Sequence, residues 1–243
     1  MNWNYAGFIR NIIDEIMNTQ SDVIEKVSDI CAKTIKNGKM LYFFGTGHSH
    51  LICEEPFYRA GGLVSIYPIL EPSLMLHEGA YKSTLIERMD GLGEILLDES
   101  GASKGDALFL ISNSGRNNAV IEMALKARDK GIVTIALTSL KHSRGVESRH
   151  KSGKKLYEVV DFCIDNCGIP GDACVEYEGF NQKVGPTSTI ACTLIVNTII
   201  TNIVGKLLDT GITPPVFMSA NTDEGDAFNK KLLARYKSRI KIL

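Results

Sequence analysis

The chain has 243 residues, 44% of them hydrophobic and 23% charged, with a net charge of −1 at neutral pH. That length suits one large α/β domain with a substantial core, and the composition is that of an ordinary globular protein. A near-neutral chain has no overall basic field for nucleic acid and no acidic field for cationic partners.

In chain order, MNWNYAGFIRNIIDEI carries acids inside its apolar pattern. It lacks the continuous apolar core and small-residue cleavage site of a secretory signal. Residues 5–36 predict one bent helix or two consecutive ones. Phe8, Ile9, Ile12, Ile13 and Ile16 form one stripe, and Val23, Ile24, Val27, Ile30 and Cys31 the next. Asp22 with Glu25 predicts a capping-box-like restart after Asn18-Thr19-Gln20, and Gly38 ends the segment. Met40 to Phe44 predicts the first strand, followed by the turn Gly45-Thr46-Gly47-His48-Ser49. A dinucleotide fingerprint would need glycine at 50, which is His50, and an acid about 20 residues further on, which is missing. No cofactor is expected.

Leu63 to Ile69 predicts a second strand, ended by Glu71-Pro72. Residues 73–100 predict irregular helices interrupted by Gly91 and Gly93. The central stretch then reads Asp106 to Ser139. Ala107 to Ile111 is a buried strand, Ser112-Asn113-Ser114-Gly115-Arg116-Asn117 breaks it, a helix follows from about Asn118, and Ile132 to Leu137 is another strand. Strand, loop, helix, strand is one βαβ unit and hence a parallel sheet. Its loop falls at the carboxyl edge, where open α/β sheets bind ligands. Ser112, Ser114 and Asn117 offer short donors, Gly115 permits a tight turn, and the next helix presents free N–H groups. This is a neutral cradle suited to phosphate; an ordinary N-cap and turn is the plainer reading.

Residues 140–157 are basic and lack interleaved aromatics, so they read as a solvated loop rather than a nucleic-acid surface. A lysine or histidine of this loop covering a ligand is a third reading. Val159 to Ile164 is a further strand, and residues 166–183 look loop-rich. Thr189 to Leu208 predicts an uncharged helix of membrane-spanning length. Asn197, Thr198, Thr201 and Asn202 interrupt it, so it reads as a core helix buried on nearly all sides. Phe228 to Leu243 predicts a last, basic helix. At least four apolar strands separated by helices predict a three-layer α/β/α sandwich in a single domain. A helical segment at about 1–37 precedes it, and a tail helix at about 214–243 follows. The six cysteines show no framework or zinc spacing, so they are expected to be reduced core thiols of a cytoplasmic protein, with no metal.

Three motifs carry a resemblance. ISNSGRN resembles the signature loop of the SIS, or sugar isomerase, domain family. LYFFGTGHS at Leu41 to Ser49 resembles its first strand and turn, and GPTST at Gly185 to Thr189 resembles its late loop and helix. More narrowly, the chain is similar to a group of bacterial SIS proteins sometimes labelled phosphoheptose isomerases. The resemblance implies a flavodoxin-like sheet and a phosphorylated sugar as ligand. It implies binding by Gly47, Ser49, Ser112, Asn113, Ser114, Gly115, Asn117, Thr187 and Ser188. It also implies a homodimer or dimer-based tetramer, which the surplus of apolar helix supports. The reaction expected is aldose–ketose isomerisation through an enediol, which needs an acid and a base. The alternative is a sensor or adaptor that binds without turnover. The glutamate that several relatives carry ten residues after the turn serine is replaced by Arg59, and no histidine lies on the late helix. Glu54, Glu55 and Glu78 are therefore the candidate bases, with Glu55 and Glu78 foremost, and His48 and His77 the candidate assistants.

Overall fold

Alternation along the strands sorts the core into two layers. Leu41, Phe43, Phe109 and Ile111 face one side, while Tyr42, Phe44, Leu108 and Leu110 face the other. The computed structural model describes residues 3–243. Its sheet contains β1 (Leu41–Gly45), β2 (Ile66–Pro68), β3 (Ala107–Ile111), β4 (Val133–Thr138) and β5 (Phe162–Asp165) in the order β2-β1-β3-β4-β5. Every pairing is parallel. A parallel sheet is covered on both faces, so its strands are continuous apolar runs.

On one face lie α1 (Asn4–Thr19), α2 (Ser21–Lys36) and α8 (Ser188–Asp209), which bring Ile16, Val27 and Ile195 onto Phe43 and Phe109. Those two rings stack with centroids 4.5 Å apart. On the other face lie α5 (Leu92–Ser100) and α6 (Asn118–Asp129), with Leu97, Val120 and Met123 against Leu108 and Leu110. The short helices α3 (His50–Glu54), α4 (Ala80–Ile86) and α7 (Leu140–Arg144) sit in the connections, and α9 (Asp223–Tyr236) follows the tail. The architecture is the expected α/β/α sandwich.

Four expectations are corrected. The restart between α1 and α2 uses no capping box. Gln20 is the single linking residue, stays in the right-handed helical region and makes no side-chain cap. Residues 166–183 contain an antiparallel hairpin, β6 (Ala173–Tyr177) and β7 (Phe180–Pro186), turned at Gly179 with φ +74°. Thr222 caps α9 through Gly225 N–H, so this helix begins before Phe228 and ends at Tyr236. Finally, α8 is long and apolar enough to cross a membrane by length and composition alone. It buries Ile195, Ile199 and Ile203, but Ile190, Thr201, Gly205 and Leu208 remain exposed, so one face is uncovered.

Candidate functional site

The site is built from three chain segments at the carboxyl edge of the sheet. After β1 the backbone folds back on itself: a Cβ on Gly45 would lie 2.7 Å from the Ser49 carbonyl oxygen. Only glycine fits that approach. The turn places His48 and Ser49 at the end of β1. After β3, the Ser112 hydroxyl accepts from the Gly115 N–H at 3.1 Å. Gly115 has φ +59°, and a Cβ there would press to 3.2 Å on Leu156. Asn113 is clamped from the neighbouring strand ends. Its carbonyl accepts from Ser139 N–H at 3.1 Å and from the Thr138 hydroxyl at 3.2 Å. Its side-chain oxygen accepts from Asn166 Nδ2 at 3.0 Å. The third segment is the start of α8.

Together these segments border a narrow crevice of about 10 Å³, lined by His48, Ser49, Asn113, Ser188 and Thr189 over Ile52, Ile111 and Cys192. Burial pushes the Cys192 thiol up to about 12, so it is protonated at neutral pH and is no nucleophile. Ser114, on the rim of the loop, is half-buried, and its hydroxyl has no protein partner among the described residues.

The start of α8 is closed from within. Asp172 Oδ1 accepts from Thr187 N–H at 3.0 Å, Thr187 Oγ1 at 3.0 Å and Ser188 N–H at 2.8 Å, and Oδ2 accepts from Ser188 Oγ at 2.6 Å. A carboxylate at a helix N-terminus is stabilised by the helix dipole and by charge-assisted bonds. Both hydroxyl protons are thereby committed, and the two oxygens remain as acceptors. Asp172 gave no sign in the sequence. It lies in the stretch read as loop, 15 residues before Thr187.

The start of α6 is different. Asn117 occupies the N-cap position without a side-chain capping bond. Its side-chain oxygen accepts instead from Arg149 Nη1 at 2.8 Å. Arg149 comes from the basic stretch 140–157, for which solvation was the leading expectation.

The proposed catalytic residues are scattered. His48 lines the cleft. Glu55 does not: it lines a shallow depression with Glu54 and Arg59, pairs with Arg59, and accepts from Asn197 Nδ2 at 3.3 Å. Glu78 is exposed and lies 3.6 Å from Lys82, and His77 beside it is exposed too. His50 is buried, with Nδ1 3.1 Å from Glu54 Oε1 and Nε2 without a partner. Burial holds His50 below the usual histidine range, against the opposing pull of Glu54.

A family model described as the SIS domain matches residues 4–139, which hold β1, its turn, β3 and the loop 112–117. The chain belongs to the SIS domain family. A UPF0309 protein of Shouchella clausii is 44% identical over 97% of this chain and 96% of its own length. Among solved structures, the phosphoheptose isomerase GmhA from Neisseria gonorrhoeae superposes with a TM-score of 0.57 at 14% identity, covering 82% of this chain and 96% of that one. The Vibrio vulnificus NanR protein complexed with ManNAc-6P superposes with a TM-score of 0.55 at 13% identity, covering 95% of this chain and 67% of that one. Both share the fold of this SIS domain.

Proposed function

We propose that this SIS protein binds a phosphorylated sugar at the carboxyl edge of its sheet and interconverts aldose and ketose forms by enediol proton transfer. The observation that carries the reading is the convergence of His48, Ser49, Asn113 and Ser188 from three separate segments onto one cleft. In this reading the phosphate sits on the Ser112–Asn117 loop, held by the Ser114 hydroxyl and backbone N–H groups. Gly47 lets the turn present Ser49 to the ligand. Ser188, whose proton points to Asp172, accepts from a sugar hydroxyl, whereas Thr187 is fully buried and only holds Asp172 in place. His48 carries the proton between C1 and C2. Glu55 joins only by leaving Arg59. The likeness to a phosphoheptose isomerase supports the reaction, and the bound ManNAc-6P of NanR supports a phosphosugar ligand. The open stripe on α8 supports a homodimer, and the six free cysteines suit a reducing, cytoplasmic setting.

A second reading is a phosphosugar sensor without turnover. It is favoured by one observation: among the described residues, no carboxylate lines the cleft. The two are separated by incubating the protein with aldose and ketose 6-phosphates in D₂O. Nuclear magnetic resonance then follows deuterium entering at C1 or C2, with calorimetry on the same ligands. Exchange that falls at least about 100-fold in His48→Asn supports the isomerase. Binding without exchange supports the sensor, and absence of both defeats the phosphosugar reading.

A further inference from the structure

Three arginines, Arg88 and Arg149 exposed and Arg116 half-buried, lie about the residues that lead into α6, and none is in an ion pair among the described residues. Arg149 donates to Asn117 Oδ1 at 2.8 Å, and its backbone N–H donates to the Arg116 carbonyl at 2.9 Å. The Arg88 carbonyl accepts from Asn118 Nδ2 at 2.9 Å. Two distant stretches are thus fastened to residues 116–118. Among the described residues, no carboxylate lies within 4.0 Å of a nitrogen of these three guanidinium groups. The nearby acids are engaged elsewhere: Glu87 accepts from Thr46 Oγ1 at 2.6 Å, and Asp90 accepts from Asn118 Nδ2 at 2.7 Å. Arg116 Nε is buried with no hydrogen-bond partner. Burial, then the charges of Arg116 and Arg88, hold Arg149 below the usual guanidinium range, with Glu87 opposing. Like charges gathered without an ion pair, beside a buried guanidinium nitrogen that has no partner, suit an anionic ligand.

We propose that Arg88, Arg116 and Arg149 form a second anion subsite beside the hydroxyl loop. The ligand then carries two anionic groups: a phosphate on the loop, and a second phosphate or a carboxylate on the arginines. This rests on the phosphosugar reading and narrows it to phosphosugars with a second anionic group. Guanidinium forks match both phosphate and carboxylate. Asn113 faces the cleft and Asn117 faces Arg149. They are four residue steps apart, about 14 Å at full extension, and the turn at Gly115 shortens this. One sugar with anionic groups at both ends spans that distance.

The test is calorimetry on matched pairs: fructose 6-phosphate against fructose 1,6-bisphosphate, and glucose 6-phosphate against 6-phosphogluconate. The proteins are wild type, Arg116→Gln, Arg149→Gln and Ser114→Ala, each checked for folding by thermal melting. The expected result is that the doubly anionic member of a pair binds wild type at least tenfold more tightly. Both Gln variants bring it down to its partner's affinity, whereas Ser114→Ala weakens both members. Equal affinities within both pairs overturn the proposal. So does an equal loss for both members in the Gln variants, since the arginines would then serve the first phosphate. If no sugar phosphate binds, the phosphosugar reading fails separately, and the subsite is judged with pyrophosphate alone. Binding of pyrophosphate that Arg116→Gln abolishes supports the subsite; binding unaffected by that change, or none, overturns it.

Discussion

Two helices begin at the same edge of the sheet, and their first turns are resolved in opposite ways. At α8 the chain supplies its own anion: Asp172 takes both hydroxyls and two backbone N–H groups. At α6 it supplies none: Asn117 makes no cap, and Arg149 occupies its side-chain oxygen. Both ends carry the same helical dipole. One has been neutralised for stability, and the other has been left positive. The contrast separates a scaffold end from the proposed binding end, a distinction that fold class alone does not make.

Breaking the scaffold end should have the largest effect. Asp172→Ala removes four bonds to a charged acceptor and is expected to cost about 3 kcal/mol, since each such bond contributes about 1.5–3 but water reaches part of this site. A melting temperature lowered by roughly 6–12 °C would show it, at about 2–4 °C per kcal/mol for a domain of this size; no change would remove the contrast. At the binding end, Ser114→Ala should leave the melting temperature of the free protein alone and weaken a phosphosugar about ten- to hundredfold, by one bond to a charged group. Calorimetry with and without the substitution decides this. Arg149→Gln should move the free protein's stability by no more than about 0.5 kcal/mol, as surface changes usually do. In low salt it should raise stability, because it relieves repulsion from Arg88 and Arg116.

A third helix start sharpens the comparison. His50 opens α3 and is buried. Burial holds its folded value below the ordinary histidine value of about 6.5, so the unfolded chain binds more protons in that interval, and stability is lost as pH falls below about 6.5. Melting temperatures at pH 7.5 and 5.5 should differ more in wild type than in His50→Asn. This is the smallest effect, because Glu54 partly offsets the burial.

What the sequence revealed follows the same division. Ala107 to Ile111 was legible to the residue, because a strand buried on both faces is an uninterrupted apolar run. The hairpin was not, because β7 is exposed from Phe180 to Val184 and its residues show no period of two. The hydroxyl loop was visible because its residues are contiguous. Arg88, Arg116 and Arg149 were not, because only the folded chain gathers them, and a basic run is usually a solvated surface. Asp172 and His48 differ in the same way: one neighbours its motif in space alone, the other in sequence.

The hairpin enters and leaves at a single knot. Thr187 N–H binds both the backbone and the side-chain oxygen of Asp172, at 3.1 and 3.0 Å, so residues 173–186 form an excursion whose two ends are already tied. Changing the length of such an excursion costs little closure entropy. It is a module whose turn at Gly179 can be lengthened while the five-stranded sheet keeps its shape, provided the contact of Tyr5 with the Pro186 carbonyl is kept. It is therefore the natural place to attach a reporter or a recognition peptide close to the start of α8.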